Sequence, residues 1–310
     1  MKNDLIPLVT VIIATFNSRR SLKLTLESVL AQDFADYEVW VVGDACTDNS
    51  QEVVHSFGDT RLQWTNLAHN SGGQGAPNNE GIRRARGEYI AYLGHDDLWF
   101  PWHLSGLVSF IQKTNADLVH PLSAMFSPSG LEYTVGPPSV GRTYENHFVF
   151  PSSWLHHRRV IEDCGGWGDH LKLPRGVDMD FQRRVYLAGK NILFYPRLSL
   201  LKFPSPLWRT YALNSQPPQS GYIDLMKSDP LNLQHQILME AATLLARQIN
   251  PGIPVRQALR ELLRSLRHKI MDSYGNDHWP LAQVRFWYVQ RMRRRSRNNR
   301  GLPPYQSHHQ

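Results

Sequence analysis

Long apolar runs and cysteines are both scarce in this chain. No stretch approaches the roughly 20 consecutive apolar residues that cross a bilayer, and the start lacks a basic segment followed by an apolar core. We therefore expect neither a membrane span nor a secretory signal. The two cysteines, Cys46 and Cys164, are too few and too far apart for a zinc knuckle or a disulfide framework. The sequence thus predicts a protein of a reducing compartment, located in the cytoplasm.

The chain lacks two common motifs for binding nucleotides. The glycine-rich segment at residues 70–75 is not followed by the Gly-Lys-Ser/Thr of a Walker loop. Its Gly73-Gln74-Gly75 run also lacks the third glycine of the dinucleotide fingerprint. A P-loop nucleotidase and a Rossmann dehydrogenase are therefore both disfavoured.

Charge is unevenly distributed in an otherwise ordinary composition. The chain has 41% hydrophobic and 20% charged residues, which is typical of a globular protein. Much of the net charge of +7 comes from a C-terminal cluster of arginines: Arg291, Arg293, Arg294, Arg295, Arg297 and Arg300. Such a tail suits a solvated end first, peripheral contact with an anionic membrane second, and nucleic acid last.

Buried-type strands alternate with amphipathic helices through the first hundred residues. This alternation predicts an α/β fold with a mostly parallel, doubly wound sheet and flanking helices. The predicted strands are at residues 8–14, 37–42, 61–64 and 89–93, followed by 117–120 and 192–195. The predicted helices are at residues 22–30, 50–57, 77–87, 104–111 and 177–188, with loops or a hairpin at 127–141.

Prolines cluster at residues 204–218 and are interpreted as a linker. We therefore expect an α/β domain at residues 1–205, with halves at about 1–100 and 101–205. A helical C-terminal extension would follow at residues 206–290, and a basic, flexible tail at 291–310. Leucines at helical spacing near residues 233–245 and 259–266 support the extension.

Carboxylates follow two of the predicted strands. The run at residues 88–93 leads to Asp96 and Asp97, and the run at 37–42 leads to Asp44 and then Asp48. Strand ends in open α/β sheets are where ligands bind, and two adjacent carboxylates commonly await a cation. The alternative is that each pair starts the next helix, because Asp favours helix N-termini. Because carboxylates follow two separate strands, a binding site is favoured.

Five blocks of sequence together resemble the family 2 glycosyltransferases of the GT-A fold. The blocks are residues 9–17, 28–32, Asp44 with Asp48, 70–81 and 93–97. A sixth, from Gly165 through residues 177–181, resembles the acceptor half of that fold. The resemblance covers about residues 5–205. It implies an inverting, hexosyltransferase-like enzyme that transfers sugar from a nucleotide-diphosphate sugar to an acceptor hydroxyl.

The resemblance assigns nucleotide binding to residues at the strand ends and in the glycine-rich loop. Asp44 would accept a hydrogen bond from a ring N–H of the base, whereas Asp48 suits a helix-capping role better. Asp96 would hold a divalent cation, Mn²⁺ or Mg²⁺, on the diphosphate. The implied nucleotide-binding set is Thr15, Asn17, Asp44, Asn70, Gly72 and Asp96.

The metal motif departs from the family pattern. Gly94-His95-Asp96 occupies the place of Asp-x-Asp, so the first carboxylate is missing. His95 or Asp97 could compensate as additional metal ligands, although His95 is a softer ligand that suits manganese better than magnesium. A solvent-facing spacer is the alternative for His95. Because one anionic partner is lost, the requirement for a metal is itself open.

The resemblance assigns the catalytic base to Asp178. A carboxylate there would take the proton of the acceptor hydroxyl as that oxygen attacks the anomeric carbon. Asp180 is the competitor, and because the two point about 200° apart on a helix, only one faces the cleft. The acceptor-side candidates, each with an alternative as core or surface, are Trp154, His156, His157, Arg158, Arg159 and Trp167.

The sequence therefore predicts a glycosyltransferase of glycan, polysaccharide or glycolipid biosynthesis. Its acceptor would be a glycan or a lipid-linked molecule, and nucleic acid is an improbable partner. One rival is a non-catalytic GT-A protein that binds nucleotide sugars or carbohydrate, which Gly94 favours. The other is a sugar-nucleotide pyrophosphorylase, which would require a glycine-rich basic loop directly after the first strand.

Overall fold

The computed structural model describes residues 6–174, 176–205 and 216–249, with side chains described to residue 247. The strands are β1 (Val9–Thr15), β2 (Tyr37–Gly43), β3 (Leu62–Asn66), β4 (Tyr89–Tyr92), β5 (Leu98–Trp99), β6 (Leu118–Ser127), β7 (Gly130–Val135), β8 (Leu155–His157) and β9 (Ile192–Lys202). The helices are α1 (Arg19–Leu30), α2 (Ser50–Ser56), α3 (Gly75–Arg84), α4 (His103–Thr114), α5 (Arg159–Cys164), α6 (Val177–Leu187), α7 (Ser220–Ser228) and α8 (Pro230–Ile249). A single 3₁₀ turn covers Pro151–Ser153.

The first half of the sheet is parallel, in the order β3-β2-β1-β4. The strands β1 and β2 are rich in β-branched residues and are buried on both faces, as parallel strands covered by helices require. Helix α3 packs so closely on β1 that a Cβ on Gly81 would come within 2.4 Å of the Ile12 side chain. The parallel register brings the carboxyl ends of these strands to one edge.

The second half of the sheet is mixed and joins the first through an antiparallel strand. Strand β8 pairs antiparallel with both β4 and β6, and β6 pairs parallel with β9. The two-residue strand β5 closes the sheet against β9, and β7 forms a hairpin with β6. The predicted α/β class with a mostly parallel sheet and flanking helices is confirmed, although β5 and β8 were not predicted.

Strand β9 is seven residues longer than the sequence predicts. The expected strand at residues 192–195 stops before Pro196, which cannot donate to a ladder and normally ends a central strand. In the structure the register jumps from Pro121 opposite Tyr195 to Leu122 opposite Leu198, so a bulge accommodates the proline. The strand then continues to Lys202, which brings that residue to the edge where the carboxylates lie.

The chain divides into two compact units, residues 1–241 and 242–310. Helices α7 and α8 follow the proline cluster, where helical packing was predicted. The predicted boundaries at 205, 290 and 310 stay predictions, as the residues beyond 249, including the arginine-rich tail, lie outside the described ranges. None of the described helices combines the length and the apolar character needed to span a membrane.

Candidate active site

The candidate site lies at the carboxyl edge of the parallel strands. Thr15 at the end of β1 pairs with Gly43 at the end of β2, so Asp44 directly follows that pair. Strand β4 runs parallel to β1 on its other side and leads into residues 93–97. Both predicted groups of carboxylates therefore lie at the same edge of the sheet, on either side of β1.

Asp44 is almost fully buried and is tied to the glycine-rich loop. Its Oδ1 accepts a hydrogen bond from the backbone N–H of Ser71 at 2.8 Å. The Asn70 amide donates to the Asp44 carbonyl at 2.9 Å and accepts from the Gly72 N–H at 2.9 Å. Gly72 has φ +78°, a conformation that glycine adopts readily. The structure thus brings together three of the residues predicted to bind nucleotide.

Asn17 holds the turn that follows β2. Its backbone is left-handed, with φ +43°, and its Oδ1 accepts the backbone N–H groups of Thr47 at 2.8 Å and Asp48 at 3.2 Å. Asp48 in turn accepts from the Ser50 N–H at 3.1 Å and from the Arg19 N–H at 3.1 Å. Asp48 therefore caps helix starts, the role that the sequence favoured for it.

Thr15 leaves a polar atom unsatisfied at this edge. Its side chain is buried, and its Oγ1 has no hydrogen-bond partner among the described residues. Buried hydroxyls are normally paired, so each exception needs an explanation. A ligand seated at the end of β1 would supply the missing partner. We call Thr15, Asn17, Asp44 and Asn70 the Asp44 corner.

The glycine-rich loop packs against the segment that precedes α6. The Asn79 amide donates to the Trp167 carbonyl and accepts from the Trp167 N–H, both at 2.8 Å. A Cβ on Gly75 would lie 2.6 Å from the carbonyl oxygen of Gly168, so a glycine is required for this approach. The His170 ring lies over Gly72, a contact that sequence reasoning missed.

Asp97 is fully buried, and both oxygens of its carboxylate accept hydrogen bonds. Its Oδ1 accepts the backbone N–H of Phe203 at 3.0 Å. Its Oδ2 accepts from the Lys202 ammonium at 2.8 Å and from the Ser152 hydroxyl. Ser152 also accepts the N–H of Gly94 at 3.0 Å. The second carboxylate of the predicted pair therefore holds the fold at this edge together.

Asp96 is also nearly buried and is held from three sides. The Ser205 hydroxyl donates to its Oδ2, and the Gln219 amide donates to its backbone carbonyl. The Lys202 Nζ lies 3.9 Å from its Oδ1. We call Asp96, Asp97, Ser152, Lys202 and Ser205 the Lys202 corner. Sequence reasoning missed Lys202, Ser152, Ser205 and Gln219, because each is at least 55 residues away from the Asp that it contacts.

Charge compensation shifts the pKa values at the Lys202 corner in opposite directions. Burial and the neighbouring Asp96 raise the pKa of Asp97, against the opposing effect of Lys202. Burial also acts to raise the pKa of Asp96, but the charges of Lys202 and His95 outweigh it and lower that pKa. Burial would lower the pKa of Lys202, but the two carboxylates outweigh it and raise that pKa. Lys202 is therefore a charged ammonium throughout the physiological range.

Gly94 lacks room for the carboxylate that the family pattern places there. A Cβ on Gly94 would lie 2.7 Å from Asp97 Oδ2 and 3.0 Å from Asp96 Oδ1. Its φ is outside the left-handed region, so the glycine is required by space and not by backbone conformation. The side-chain volume of the missing Asp is thus occupied by the carboxylates of its neighbours.

Asp178 and Asp180 differ in how they are engaged. Asp180 forms a 2.8 Å ion pair with Arg184, which also donates to the carbonyls of Cys164 and Gly166. Asp178 is half-buried in the first turn of α6, where its Oδ1 accepts the adjacent Met179 N–H at 2.8 Å. Its charge contributes to the raised pKa of Lys202. Asp178 therefore lies within electrostatic range of the Lys202 corner.

The aromatic residues suggested as sugar-stacking surfaces are core residues. Trp154 is fully buried, and Trp167 is 4% exposed. The two rings stack at a centroid distance of 5.8 Å, and Phe181 stacks on Trp167 at 5.3 Å. They leave no face for a sugar ring, so the alternative that places them in the core is correct.

The basic residues proposed for the acceptor cleft lie elsewhere. His156 is buried, and its Nε2 lies 3.2 Å from the Tyr92 hydroxyl. His157 pairs with Tyr89 at the amino end of β4. Arg158 donates to the carbonyls of Ala85 and Gly87, and Arg159 pairs with Asp117. The contacts of His157, Arg158 and Arg159 lie at the amino edge of the sheet, away from the Asp44 position, and His156 is a core residue. The alternative that places these residues in the core or on the surface is therefore correct.

Comparison with known proteins places the chain in a family. The family model described as glycosyl transferase family 2 matches residues 10–162. An uncharacterised glycosyltransferase of Nostoc sp. is 34% identical over 303 residues, which cover 92% of this chain and 87% of that protein. This chain belongs to glycosyl transferase family 2. The predicted resemblance and the predicted enzyme class, glycosyltransferase, are thereby confirmed.

Other relatives match over shorter stretches. The Escherichia coli protein WfgD, named as a UDP-Glc:α-D-GlcNAc-diphosphoundecaprenol β-1,3-glucosyltransferase, is 30% identical over 158 residues. That alignment covers 51% of this chain and 56% of WfgD. An uncharacterised glycosyltransferase of Rickettsia typhi is 31% identical over 119 residues, or 38% of this chain and 36% of the relative. The matched part thus spans between a third and about half of these two relatives.

Solved structures show the fold. Staphylococcus aureus TarS in complex with UDP-GlcNAc has a TM-score of 0.55 at 22% identity, covering 82% of this chain and 71% of that chain. A mannosyltransferase of Pyrobaculum calidifontis in complex with GDP-Man and Mn²⁺ has a TM-score of 0.51 at 17% identity, covering 88% and 89%. The predicted GT-A fold is confirmed.

The residues at the Lys202 corner do not fit a dedicated divalent-metal site. No group of three or more His, Cys, Asp or Glu side chains that could hold a metal occurs in the described part of the chain. Asp97 was predicted as a compensating ligand, but its oxygens accept from Phe203, Ser152 and Lys202. The Nδ1 of His95 lies 3.2 Å from the Ala14 carbonyl. A lysine ammonium lies against the carboxylates, where hard-cation chemistry would call for further oxygen ligands.

Proposed function

We propose that this chain is an inverting glycosyltransferase that moves a hexose-type unit from a nucleotide-diphosphate sugar to an acceptor hydroxyl. The observation that carries the proposal is that the Asp44 corner and the Lys202 corner lie at one edge of the sheet, with Asp178 within electrostatic range of Lys202. Ser71 and Asn70 tie the glycine-rich loop to Asp44, and Asn79 ties the following helix to Trp167, ten residues before α6. A donor lying across the strand ends would therefore reach from Asp44 toward Asp178.

The Asp44 corner suits the nucleoside part of the donor. Asp44 is a buried carboxylate that can accept from a ring N–H, and the unpaired Oγ1 of Thr15 offers one further contact. Asn17, Asn70 and Gly72 shape the turns around it. Because WfgD is named for UDP-Glc and TarS binds UDP-GlcNAc, we propose a uridine-diphosphate sugar as the donor.

Asp178 is assigned the proton transfer. The acceptor oxygen attacks the anomeric carbon while the Asp178 carboxylate takes its proton, and the bond from that carbon to the diphosphate breaks. The electron pair leaves on the diphosphate oxygen, so one displacement inverts the anomeric centre. Asp178 has no ion-pair partner within the described ranges, whereas Asp180 is neutralised by Arg184, so Asp178 is the better base.

The acceptor is proposed from similarity alone. WfgD is named for an acceptor that carries its sugar on a polyprenyl diphosphate. We therefore propose a lipid-linked glycan acceptor and a role in glycan or polysaccharide biosynthesis. The proposed peripheral contact with an anionic membrane depends on the arginine-rich tail, which lies outside the described residues. A divalent ion on the diphosphate, if one is used, would have Asp96 as its protein carboxylate.

Two matched variants in α6 test the function. The best donor is first chosen by a thermal-shift screen of UDP-, GDP-, dTDP- and CMP-sugars, because a ligand bound by the folded state raises Tm. Transfer to a lipid-linked diphosphate sugar is then measured for wild type, Asp178→Asn and Asp180→Asn. We expect Asp178→Asn to lower kcat by about 10²–10⁴-fold with donor binding unchanged, because the amide cannot accept the proton.

The control separates the base from its neighbour. Asp180→Asn removes the ion pair with Arg184 and should lower stability more than kcat. A larger loss of kcat in Asp180→Asn than in Asp178→Asn would overturn the assignment of the base. Donor binding without transfer or donor hydrolysis, with and without Mn²⁺, would instead support the non-catalytic alternative.

A further inference from the structure

Lys202 reaches the candidate site through strand pairing. Strand β5 runs antiparallel to β9 with Leu98 opposite Leu201, so Asp97, directly before β5, lies beside Lys202 at the end of β9. The ammonium is 2.8 Å from Asp97 Oδ2 and 3.9 Å from Asp96 Oδ1. The Lys202 side chain is 20% exposed, so it is held by buried partners without being fully enclosed.

The Lys202 ammonium has hydrogen-bonding capacity that the described part of the protein does not use. An ammonium carries three N–H donors, and among the described residues Asp97 takes one of them. The 3.9 Å separation from Asp96 is too long for a hydrogen bond. Two donors therefore remain for a ligand, and lysine binds phosphate groups well as a point charge.

The same space is poorly suited to a second cation. Both oxygens of Asp97 already accept hydrogen bonds, Gly94 contributes no side chain, and Ser205 donates to one oxygen of Asp96. A divalent ion on the remaining oxygen of Asp96 would lie a few ångströms from the Lys202 ammonium. Like charges at that distance repel strongly in a partly buried site.

We propose that the Lys202 ammonium is the cation that binds the diphosphate of the donor, so that a nucleotide diphosphate binds to this protein without a divalent ion. The inference rests on the proposed function, because it requires a nucleotide-diphosphate ligand at this edge. Asp97 fixes the ammonium in place. In the competing interpretation Lys202 only neutralises the buried Asp97 and does not contact the ligand.

Two variants separate these roles. Asp97→Asn removes the buried charge that Lys202 would neutralise, while the amide oxygen can still accept from Phe203. The double variant Asp97→Asn/Lys202→Met then removes the ammonium without leaving a buried carboxylate unpaired beside it. The affinities of UDP, GDP and UMP are measured by calorimetry on the full chain in EDTA, for wild type and both variants. A salt titration of each UDP affinity accompanies them.

If Lys202 binds the diphosphate, wild type and Asp97→Asn bind UDP or GDP in EDTA. The double variant should then bind that diphosphate at least about tenfold more weakly than Asp97→Asn, with UMP affinity changed by less than about threefold. Its affinity should also depend less on salt, since one charge contact is lost. Equal diphosphate affinity in the two variants would overturn the inference, because it would show that the ammonium does not reach the ligand.

The wild-type protein alone gives a second test. Diphosphate binding that requires added MnCl₂ and disappears in EDTA overturns the inference but leaves the proposed function intact. Failure to bind any nucleotide diphosphate or nucleotide sugar under either condition overturns both.

Discussion

The Asp44 corner and the Lys202 corner lie at the same edge of the sheet but are stabilised by different interactions. At the Asp44 corner, Asp44 and Asn70 are held by backbone N–H and carbonyl groups of neighbouring turns. At the Lys202 corner, two nearly buried carboxylates are held by an ammonium and two hydroxyls. The Asp44 corner is therefore a turn with a few polar contacts, whereas the Lys202 corner is a compact, buried ion cluster.

This difference decides how each corner responds to substitution. A neutral hydrogen bond contributes about 0.5–1.5 kcal/mol, so the loss of one at the Asp44 corner leaves the fold intact. Removal of one partner from a buried ion pair commonly costs about 3–5 kcal/mol, because the other charge is left uncompensated. Loss of function and loss of stability should therefore separate at the Asp44 corner and coincide at the Lys202 corner.

The largest effect is expected for the single substitution Lys202→Met. It leaves Asp97 buried with its charge unpaired, so the free energy of unfolding should fall by about 3–5 kcal/mol. Urea denaturation followed by circular dichroism measures this loss. The double variant Asp97→Asn/Lys202→Met should recover most of it, because both charges are then absent. A single variant as stable as wild type would show that the ion pair does not hold this corner together.

A substitution at Gly94 should give the next largest effect. A Cβ there would lie 2.7 Å from Asp97 Oδ2, so Gly94→Ala should cost about 1–3 kcal/mol through overpacking. Gly94→Asp should cost more, because it adds a third carboxylate beside two others, and it should not improve Mn²⁺ binding. Gly221→Ala is the matched control, since its Cβ would meet nothing within 4 Å on helix α7. Tighter Mn²⁺ binding by a stable Gly94→Asp protein would contradict this account.

Asp44→Asn should separate binding from stability. The amide oxygen can still accept the Ser71 N–H, so we expect the free energy of unfolding to change by less than about 1 kcal/mol. The affinity for the nucleotide sugar should fall by about tenfold or more, because a charge-assisted hydrogen bond to the base is lost. Calorimetry and urea denaturation on the same protein measure both quantities. A large loss of stability with unchanged affinity would reassign Asp44 to the fold.

The Asp44 corner could be predicted from the sequence because its signals are local. The strands β1 and β2 are mostly apolar runs, and the residue that follows each of them falls at the carboxyl edge. The structure accordingly brings Asp44, Asn70 and Gly72 together at the end of β2. Their proposed role in nucleotide binding stays a prediction.

The Lys202 corner could not be predicted in the same way. Lys202 contacts a carboxylate 105 residues earlier in the chain, and a strand pair of two residues brings them together. Pro196 interrupts the sequence pattern from which the full length of β9 could have been predicted. Local periodicity contains no information about such a partner. For the same reason the Trp154 and Trp167 side chains, which suit either a sugar platform or a core, could be assigned only once the packing was known.

Three buried histidines in the second half of the sheet should give the smallest effect on stability per residue. Burial lowers the pKa of His156 and His120 to about 4 and that of His103 to about 3. His156 lies on β8, His120 on β6 and His103 on helix α4, all in the second half of the sheet. They stay neutral in the folded protein at pH values where the unfolded chain, with an ordinary histidine pKa of about 6.5, takes up protons.

The sign of the resulting pH dependence follows from proton counting. Between about pH 6.5 and pH 4 the unfolded state binds more protons, so stability falls as the pH falls through this window. From pH 7 to pH 6 each buried histidine should lower the free energy of unfolding by about 0.7 kcal/mol. The raised pKa of Asp97 acts in the opposite direction, because its folded form takes up a proton before the unfolded chain does.

Urea denaturation at both pH values should show a smaller loss of unfolding free energy for His156→Gln than for wild type. The same substitution at His55, exposed on helix α2, should leave the loss unchanged, and equal losses in all three proteins would show that His156 does not stay neutral in the folded state.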